Sequence, residues 1–274
     1  MLPWMIPPTS LIPIHDDNPT SGFPSVTVGL IALNVLVFLI EPHFGTGGGL
    51  QVSEYFYRWG LVPWEITRGH QLSLTGCLAA CFTNKNVYLA FLTSTFIHAG
   101  PVHLAGNMLF LWVFGNNIED TLGRVRFVAF YLLCGLIAGL VHVALNANSL
   151  FPTVGASGAI AGVLGAYLVL FPRARVLTLA FIVLVPLPAM LVLSLWFVLQ
   201  LFTGASQQIG GGGVAWGAHV GGFVAGVILV LLFGGRSRAR ERRLPPPPPF
   251  SPLPPGPEAP LKAPDEGFWG PFGP

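Results

Sequence analysis

The chain has 274 residues, of which 53% are hydrophobic and only 9% are charged. A soluble domain carries about 25% charged residues, so this composition predicts a membrane protein in contact with a lipid bilayer. A net charge of +2 leaves no basic surface for nucleic-acid phosphates, which excludes a nucleic-acid partner. Three cysteines are too few for a fold held together by disulfides.

In chain order, the first segment, residues 1–24, is Pro-rich and lacks the pattern of a cleavable signal, so it is predicted to be a cytoplasmic N-terminal segment. Six apolar stretches follow, each a candidate for a membrane-spanning helix of about 20 residues. They predict an all-α membrane protein, with a bundle of six transmembrane helices over residues 25–234. The stretches cover roughly residues 25–42, 102–118, 126–147, 157–171, 176–203 and 214–234.

The fifth stretch is ambiguous, because Pro186 and Pro188 interrupt it. Its helix either fills the stretch or begins only near Pro186. In the second case the preceding ten residues form an extended or membrane-dipping loop.

Two further segments lie outside the apolar stretches. Residues 43–100 are predicted to form a long outer loop, partly ordered on the membrane surface, in which Cys77 and Cys81 could pair only if the backbone permits. Residues 235–274 begin with a basic cluster and continue with a proline run, which predicts a disordered cytoplasmic tail.

The basic residues predict the orientation. With a cytoplasmic N-terminus, ten Lys and Arg residues fall on the inner side and three on the outer side. The inverted orientation would contradict the excess of positive charge expected inside. We therefore expect a multi-pass protein of the plasma (cytoplasmic) membrane with both termini in the cytoplasm.

Ser157 and His219 are the candidate catalytic residues. Ser157 lies near the outer end of the fourth stretch, and His219 lies about five residues (~7.5 Å) inside the outer end of the sixth. Polar and ionisable residues within a membrane segment are costly and usually face a cavity. A nucleophile and a base at similar depth predict hydrolysis inside the bilayer. Since no carboxylate accompanies His219, the unit is predicted to be a dyad.

His103 and Asn107 are candidate donors for an oxyanion. They are four residues apart, so they share one face of the second stretch near its outer end. The alternative for Asn107 is a hydrogen bond between helices. His98 precedes this helix and is a candidate to line the same cavity. No cofactor is expected, and no spacing indicates a metal site.

Glycines predict how the fourth and sixth stretches could meet. Gly158 with Gly162, and Gly222 with Gly226, are pairs of small residues one helical turn apart. Such pairs let two helix backbones approach closely, which would bring Ser157 and His219 within hydrogen-bond reach.

Together these residues resemble the rhomboid family of intramembrane serine proteases. The resemblance implies a six-helix bundle, a Ser157–His219 dyad, and an oxyanion site formed by His103, Asn107 and the Ser157 amide. It also implies cleavage of single-span or membrane-anchored substrates that reach the site laterally between spans two and five. The motifs are His98…His103…Asn107, Gly155-Ala156-Ser157-Gly158, Ala218-His219-x-x-Gly222-x-x-x-Gly226 and Gly115-x-x-x-Glu119-x-x-x-Gly123.

The chain departs from the family pattern at two points. Ala161 stands where some members place a tyrosine beneath the histidine, and a Trp-Arg pair of the first loop is missing. A catalytically silent rhomboid-like protein that binds membrane clients is the alternative function. A small-solute transporter is a third, but it would show inverted repeats and paired ionisable residues near mid-bilayer.

Overall fold

The computed structural model describes residues 11–42, 48–72, 85–180, 182–207 and 216–242. This part of the chain is mostly helical, and short 3₁₀ turns at Val87–Leu89 and Ser94–Phe96 flank its fourth α-helix. The α-helices are α1 (Ser25–Ile40), α2 (Gly48–Trp59), α3 (Pro63–Arg68), α4 (Ala90–Thr93), α5 (Pro101–Leu122), α6 (Arg124–Leu145), α7 (Ser157–Leu170), α8 (Ala189–Gln207), α9 (Trp216–Leu232) and α10 (Gly235–Arg242). The strands are β1 (Leu11–Asp16), β2 (Arg175–Ala180) and β3 (Val183–Pro188).

Helix α7 is the centre of the bundle. It is short, but nearly all of its residues are buried, and it packs against α5, α6, α8 and α9. A helix surrounded by other helices can be apolar on every side. Because neighbouring helices shield it from lipid, α7 does not need the full length of a membrane-spanning helix.

The α7–α9 contact is made by backbone rather than by side chains. A Cβ added to Gly222 would collide with the Gly158 carbonyl oxygen, and one added to Gly226 would collide with the Gly162 carbonyl oxygen. The close approach predicted from the paired glycines is therefore confirmed. It fixes the distance between the first turns of the two helices.

Helix lengths test the predicted spans only in part. Among the described residues, Arg124–Leu145 is long and apolar enough to cross a membrane by itself. The bent pair Val87–Phe96 and Pro101–Leu122 is a second if it counts as one broken span. The remaining apolar helices (α1, α7, α8 and α9) are shorter. The count of six spans stays a prediction.

A three-stranded antiparallel sheet corrects the all-α expectation to a mostly helical fold. Its strand order is β1-β2-β3. Leu11 pairs with Ala180, and Arg175 pairs with Pro188. The residues of this stretch before the helix thus form the paired strands β2 and β3, and the fifth apolar helix begins at Ala189. The second reading of that stretch is confirmed, because proline cannot donate the hydrogen bonds of a helix interior.

The N-terminal segment is more ordered than its proline content suggests. Strand β1 ends at Asp16, whose buried carboxylate accepts hydrogen bonds from Tyr167 (2.6 Å) and Asn117 (2.8 Å). These bonds attach the segment to α7 and α5 at the end of the bundle opposite Ser157. Residues 1–10 lie outside the described residues.

Glu119 connects two helices at the same end. Its carboxylate accepts hydrogen bonds from the amides of Val26 (2.9 Å) and Thr27 (2.7 Å) and from the Thr27 hydroxyl (2.8 Å). A carboxylate at a helix N-terminus satisfies free amides and complements the helix dipole. The motif Gly115-x-x-x-Glu119 is therefore a structural network that anchors α1 on α5.

The basic cluster after the last apolar helix is helical, which corrects the prediction that the tail is disordered from residue 235. Helix α10 (Gly235–Arg242) carries it. The prediction of disorder for residues 243–274 lies outside the described residues.

A buried ion pair stabilises the part of residues 43–100 that the structure describes. The Lys85 ammonium contacts the Glu65 carboxylate and donates to the carbonyl oxygens of Tyr57 and Gly60. Burial lowers the pKa of Lys85 in spite of the neighbouring carboxylate. Cys77 and Cys81 lie outside the described residues.

Candidate active site

Ser157 is the first residue of α7, and the turn before it requires glycine. Gly155 has φ +128°, and a Cβ there would lie 2.7 Å from His103 Cε1. Its amide donates to the Ser94 carbonyl oxygen at 2.8 Å, which attaches the turn to the segment that precedes α5. L-residues rarely adopt this backbone conformation, whereas glycine, which has no Cβ, does so readily. The same Cβ would lie 3.7 Å from Ser157 Oγ, so the Ser157 hydroxyl and the His103 ring border the same side of Gly155.

Ser157 and His219 are in direct contact. His219 lies in the first turn of α9, three residues after Trp216, and is only 7% exposed. Its Nε2 lies 2.7 Å from Ser157 Oγ. This is the distance of a good hydrogen bond, and it is the geometry in which an imidazole can take the hydroxyl proton.

The other ring nitrogen of His219 contacts α8. Its Nδ1 lies 3.0 Å from the Gln200 side-chain oxygen, and the Trp196 ring lies 5.9 Å from the imidazole, tilted by 37°. Neither Trp196 nor Gln200 is predicted from the sequence to contact His219. They are one helical turn apart in an apolar stretch, which gives no periodic signal for the side that faces the bundle. Ala161 is fully buried.

His103 lies in the cavity wall beside Ser157. Its Nδ1 accepts a hydrogen bond from the Ala99 amide at 3.4 Å. A neutral imidazole with an accepting Nδ1 carries its proton on Nε2. A Cβ added to Gly155 would lie 3.0 Å from His103 Nε2 and 3.7 Å from Ser157 Oγ. The ring therefore presents its N–H donor toward Ser157.

Asn107 and His98 do not line this cavity. The Asn107 amide donates to the His103 carbonyl oxygen at 3.0 Å, within its own helix. His98 is 1% exposed and packs its ring edge-on against His103, with centroids 5.2 Å apart. Its amide donates to the Glu41 carboxylate at 3.2 Å. The structure therefore brings together Ser157, His219 and His103, while Asn107 and His98 stand behind His103.

The cavity has a volume of about 360 Å³ and extends from the Ser157 hydroxyl between α6 and the segment that precedes α5. Small residues, Gly135, Ala138 and Gly139, form its α6 wall. One end is polar, because Thr153 Oγ1 lies 2.9 Å from His142 Nε2. His142 therefore also lines the cavity. The cavity is large enough to accept a side chain or a short extended segment.

The arrangement contains the parts of acyl-transfer chemistry. A hydroxyl at a helix N-terminus contacts an imidazole, and the Ser157 amide and His103 supply donors nearby. Among the described residues no three His, Cys, Asp or Glu side chains are grouped so that they could hold a metal ion.

Comparison with known proteins gives a consistent result. Residues 85–236 match the model of the Rhomboid domain family. Rhomboid protein 1, mitochondrial, of Saccharomyces cerevisiae is 32% identical over 57% of this chain and 45% of its own length. The human presenilin-associated rhomboid-like protein, mitochondrial, is 33% identical over 58% of this chain and 36% of its own. The Bacillus subtilis rhomboid protease GluP is 30% identical over 54% and 25%.

The aligned region thus spans less than half the length of these relatives. The match to the family model contains Ser157, His219 and the helices that position them, because it runs from residue 85 to the start of α10. On the strength of that match, which covers more than half of its residues, the chain belongs to the rhomboid family.

Proposed function

We propose that the protein is an intramembrane serine endopeptidase that cleaves single-span or membrane-anchored protein substrates. Ser157 is the nucleophile and His219 is the general base. The observation that supports this most strongly is the 2.7 Å contact between Ser157 Oγ and His219 Nε2, both of which line the same cavity. A serine and a histidine that only packed helices together would not need such a cavity.

In the proposed reaction, Ser157 Oγ attacks the scissile carbonyl carbon while its proton passes to His219 Nε2. The tetrahedral intermediate then collapses, and the imidazolium gives the proton to the leaving amine. Water, activated by the same nitrogen, hydrolyses the acyl-enzyme. Because the Ser157 hydroxyl stands at the N-terminus of α7, the free amides and the helix dipole favour the negative charge that develops.

The oxyanion donors are proposed to be the Ser157 amide and His103 Nε2–H. Asn107 is proposed as a third donor, but its amide is bound to the His103 carbonyl oxygen. One N–H of the amide makes that bond, so the second N–H is the one proposed to donate to the oxyanion, from a residue outside the cavity lining. We therefore expect His103 to contribute more to turnover than Asn107.

The membrane arrangement is part of the proposal. Residues 25–234 form a multi-pass domain of six spans with both termini cytoplasmic in the plasma membrane, which the distribution of basic residues supports. The site then lies near the outer face, and substrates reach it laterally between α5 and α8. Reporter fusions at each terminus test the orientation, and fractionation of the producing cells tests the membrane.

The test uses the full chain reconstituted in liposomes with a panel of single-span substrates, whose products are mapped by mass spectrometry. Ser157→Ala and His219→Ala should each abolish cleavage, and the double variant should be little worse, because the two residues act as a unit. Ser194→Ala and His15→Ala are matched controls, since both positions are exposed and lie outside the cavity.

Two results would contradict the proposal. Residual proteolysis in Ser157→Ala would exclude Ser157 as the nucleophile. Intact substrates that bind the wild-type protein without any cleavage would instead indicate the alternative, a silent rhomboid-like protein that holds membrane clients.

A further inference from the structure

We infer that Gln200 is a positioning residue of this site: its side-chain oxygen holds the Nδ1 proton of His219 and so leaves Nε2 unprotonated toward Ser157. The inference rests on the proposed function. The Ser157–His219 dyad of α7 and α9 is then supported by one positioning side chain from α8.

The contact with Gln200 determines the tautomer of His219. A base that takes the Ser157 proton must present an unprotonated Nε2, and a neutral imidazole with that nitrogen free carries its proton on Nδ1. That proton points along the 3.0 Å contact to the Gln200 side-chain oxygen. An amide oxygen can only accept a hydrogen bond, so this orientation of Gln200 selects the tautomer that catalysis needs.

Contacts on both ring nitrogens prevent rotation of the His219 imidazole. His219 is held at Nε2 by Ser157 and at Nδ1 by Gln200, and the Trp196 ring lies over it at 5.9 Å. Trp196 and Gln200 are one helical turn apart, so one face of α8 supplies both contacts. The imidazole cannot turn about χ2 without breaking both hydrogen bonds.

Aromatic contacts attach α8 to α9. Trp196 and Phe197 both stack on Phe223 of α9, with centroids 6.3 Å and 4.4 Å apart. Beyond Gln200, the Phe202 side chain is 70% exposed. The aromatic cluster therefore fixes α8 one turn below Gln200, close enough to set the position of the amide.

The chemistry of an amide sets the size of the effect. A neutral oxygen fixes the tautomer and orientation of an imidazole, but it adds no formal charge to stabilise the imidazolium. We therefore expect Gln200→Met, which keeps the length of the side chain but removes its oxygen, to lower kcat by about tenfold, the effect of about one neutral hydrogen bond. KM should be unchanged, because Gln200 contacts His219 and lies outside the cavity lining.

The experiment compares three variants of the full chain in liposomes: Gln200→Met, Gln200→Glu and Leu201→Ala. Leu201 is the neighbouring control, 43% exposed on the same helix. Each is assayed for kcat and KM on a transmembrane substrate. Each is also assayed for the rate at which a fluorophosphonate labels the serine, which needs an activated hydroxyl but no substrate. Thermal unfolding in detergent monitors the fold.

The inference predicts that Gln200→Met loses about tenfold in both kcat and labelling rate at an unchanged unfolding temperature. Gln200→Glu, which restores an accepting oxygen, should recover most of the loss. Normal labelling in Gln200→Met would overturn the inference, and so would a loss that Gln200→Glu does not recover. Neither result affects the proposed function as long as Ser157→Ala is inactive. Cleavage by Ser157→Ala would overturn both.

Discussion

Substitution of Gly222 by alanine tests whether backbone contact between α7 and α9 sets the distance between Ser157 and His219. Gly222 follows His219 by one turn, and its missing side chain faces the carbonyl oxygen of Gly158, the residue after Ser157. An added Cβ would stand far inside the 3.0 Å that real Cβ atoms respect. Since the obstacle is backbone, no side-chain rotation can relieve it.

The helices must therefore separate at this turn by about 1 Å, and a misplacement of that size costs on the order of 100-fold in rate. Overpacking of this kind also destabilises a core by about 1–3 kcal/mol. We expect Gly222→Ala to insert and fold with a lowered unfolding temperature, and to lose about 100-fold in kcat and in fluorophosphonate labelling.

The matched control is Gly106→Ala, because Gly106 is a helical glycine beside which an added Cβ meets nothing within 4 Å. It should keep both the rate and the stability of the wild-type protein. Initial rates in liposomes and thermal unfolding in detergent measure the two quantities separately. Wild-type turnover in Gly222→Ala would refute the reasoning, because it would show that the α7–α9 spacing does not control the reaction.

His103→Ala should lower kcat by about 10²–10³ with little change in KM, as expected for the loss of one oxyanion donor. Asn107→Ala should cost less, and a rise in KM alone would mark either residue as substrate-binding or structural. Lys85→Met should destabilise the protein by about 3–5 kcal/mol, because it leaves the Glu65 carboxylate buried without its partner. The double variant Lys85→Met/Glu65→Leu should recover most of that stability in thermal unfolding, and no recovery would show that the pair is not coupled. Asp16→Ala should lower the unfolding temperature without changing the initial rate, since it removes the acceptor of the Tyr167 hydroxyl and of one Asn117 N–H, and a buried donor left unsatisfied costs about 1–3 kcal/mol; a lost rate at full stability would contradict this.

The meeting of Ser157 with His219 could be predicted because its determinants are local and periodic. Glycines one turn apart mark a helix face that permits close approach, and both candidate residues stand at the ends of the faces so marked. Those glycines indicate which faces of α7 and α9 meet. The same reasoning predicted that the fifth apolar helix could begin after the prolines.

Gln200 and strand β1 could not be predicted in this way. The pairing of Leu11 with Ala180 joins residues that are far apart in sequence, and neither segment carries a signal that specifies its partner. Helix α8 is apolar over most of its surface, so hydrophobic periodicity does not show that Gln200 faces His219. Both features depend on tertiary packing, which a single sequence does not encode locally.

Asn107 shows the limit of an argument from spacing. Its position four residues after His103 predicts a shared helix face, and that geometry is present. Yet an asparagine in a helix can return its amide to the carbonyl four residues earlier, which Asn107 does at 3.0 Å. Sequence spacing identifies the face of a helix but not the rotamer of a side chain on it. The proposed oxyanion site therefore begins with the Ser157 amide and His103, and the contribution of Asn107 depends on whether its second amide N–H can reach the oxyanion.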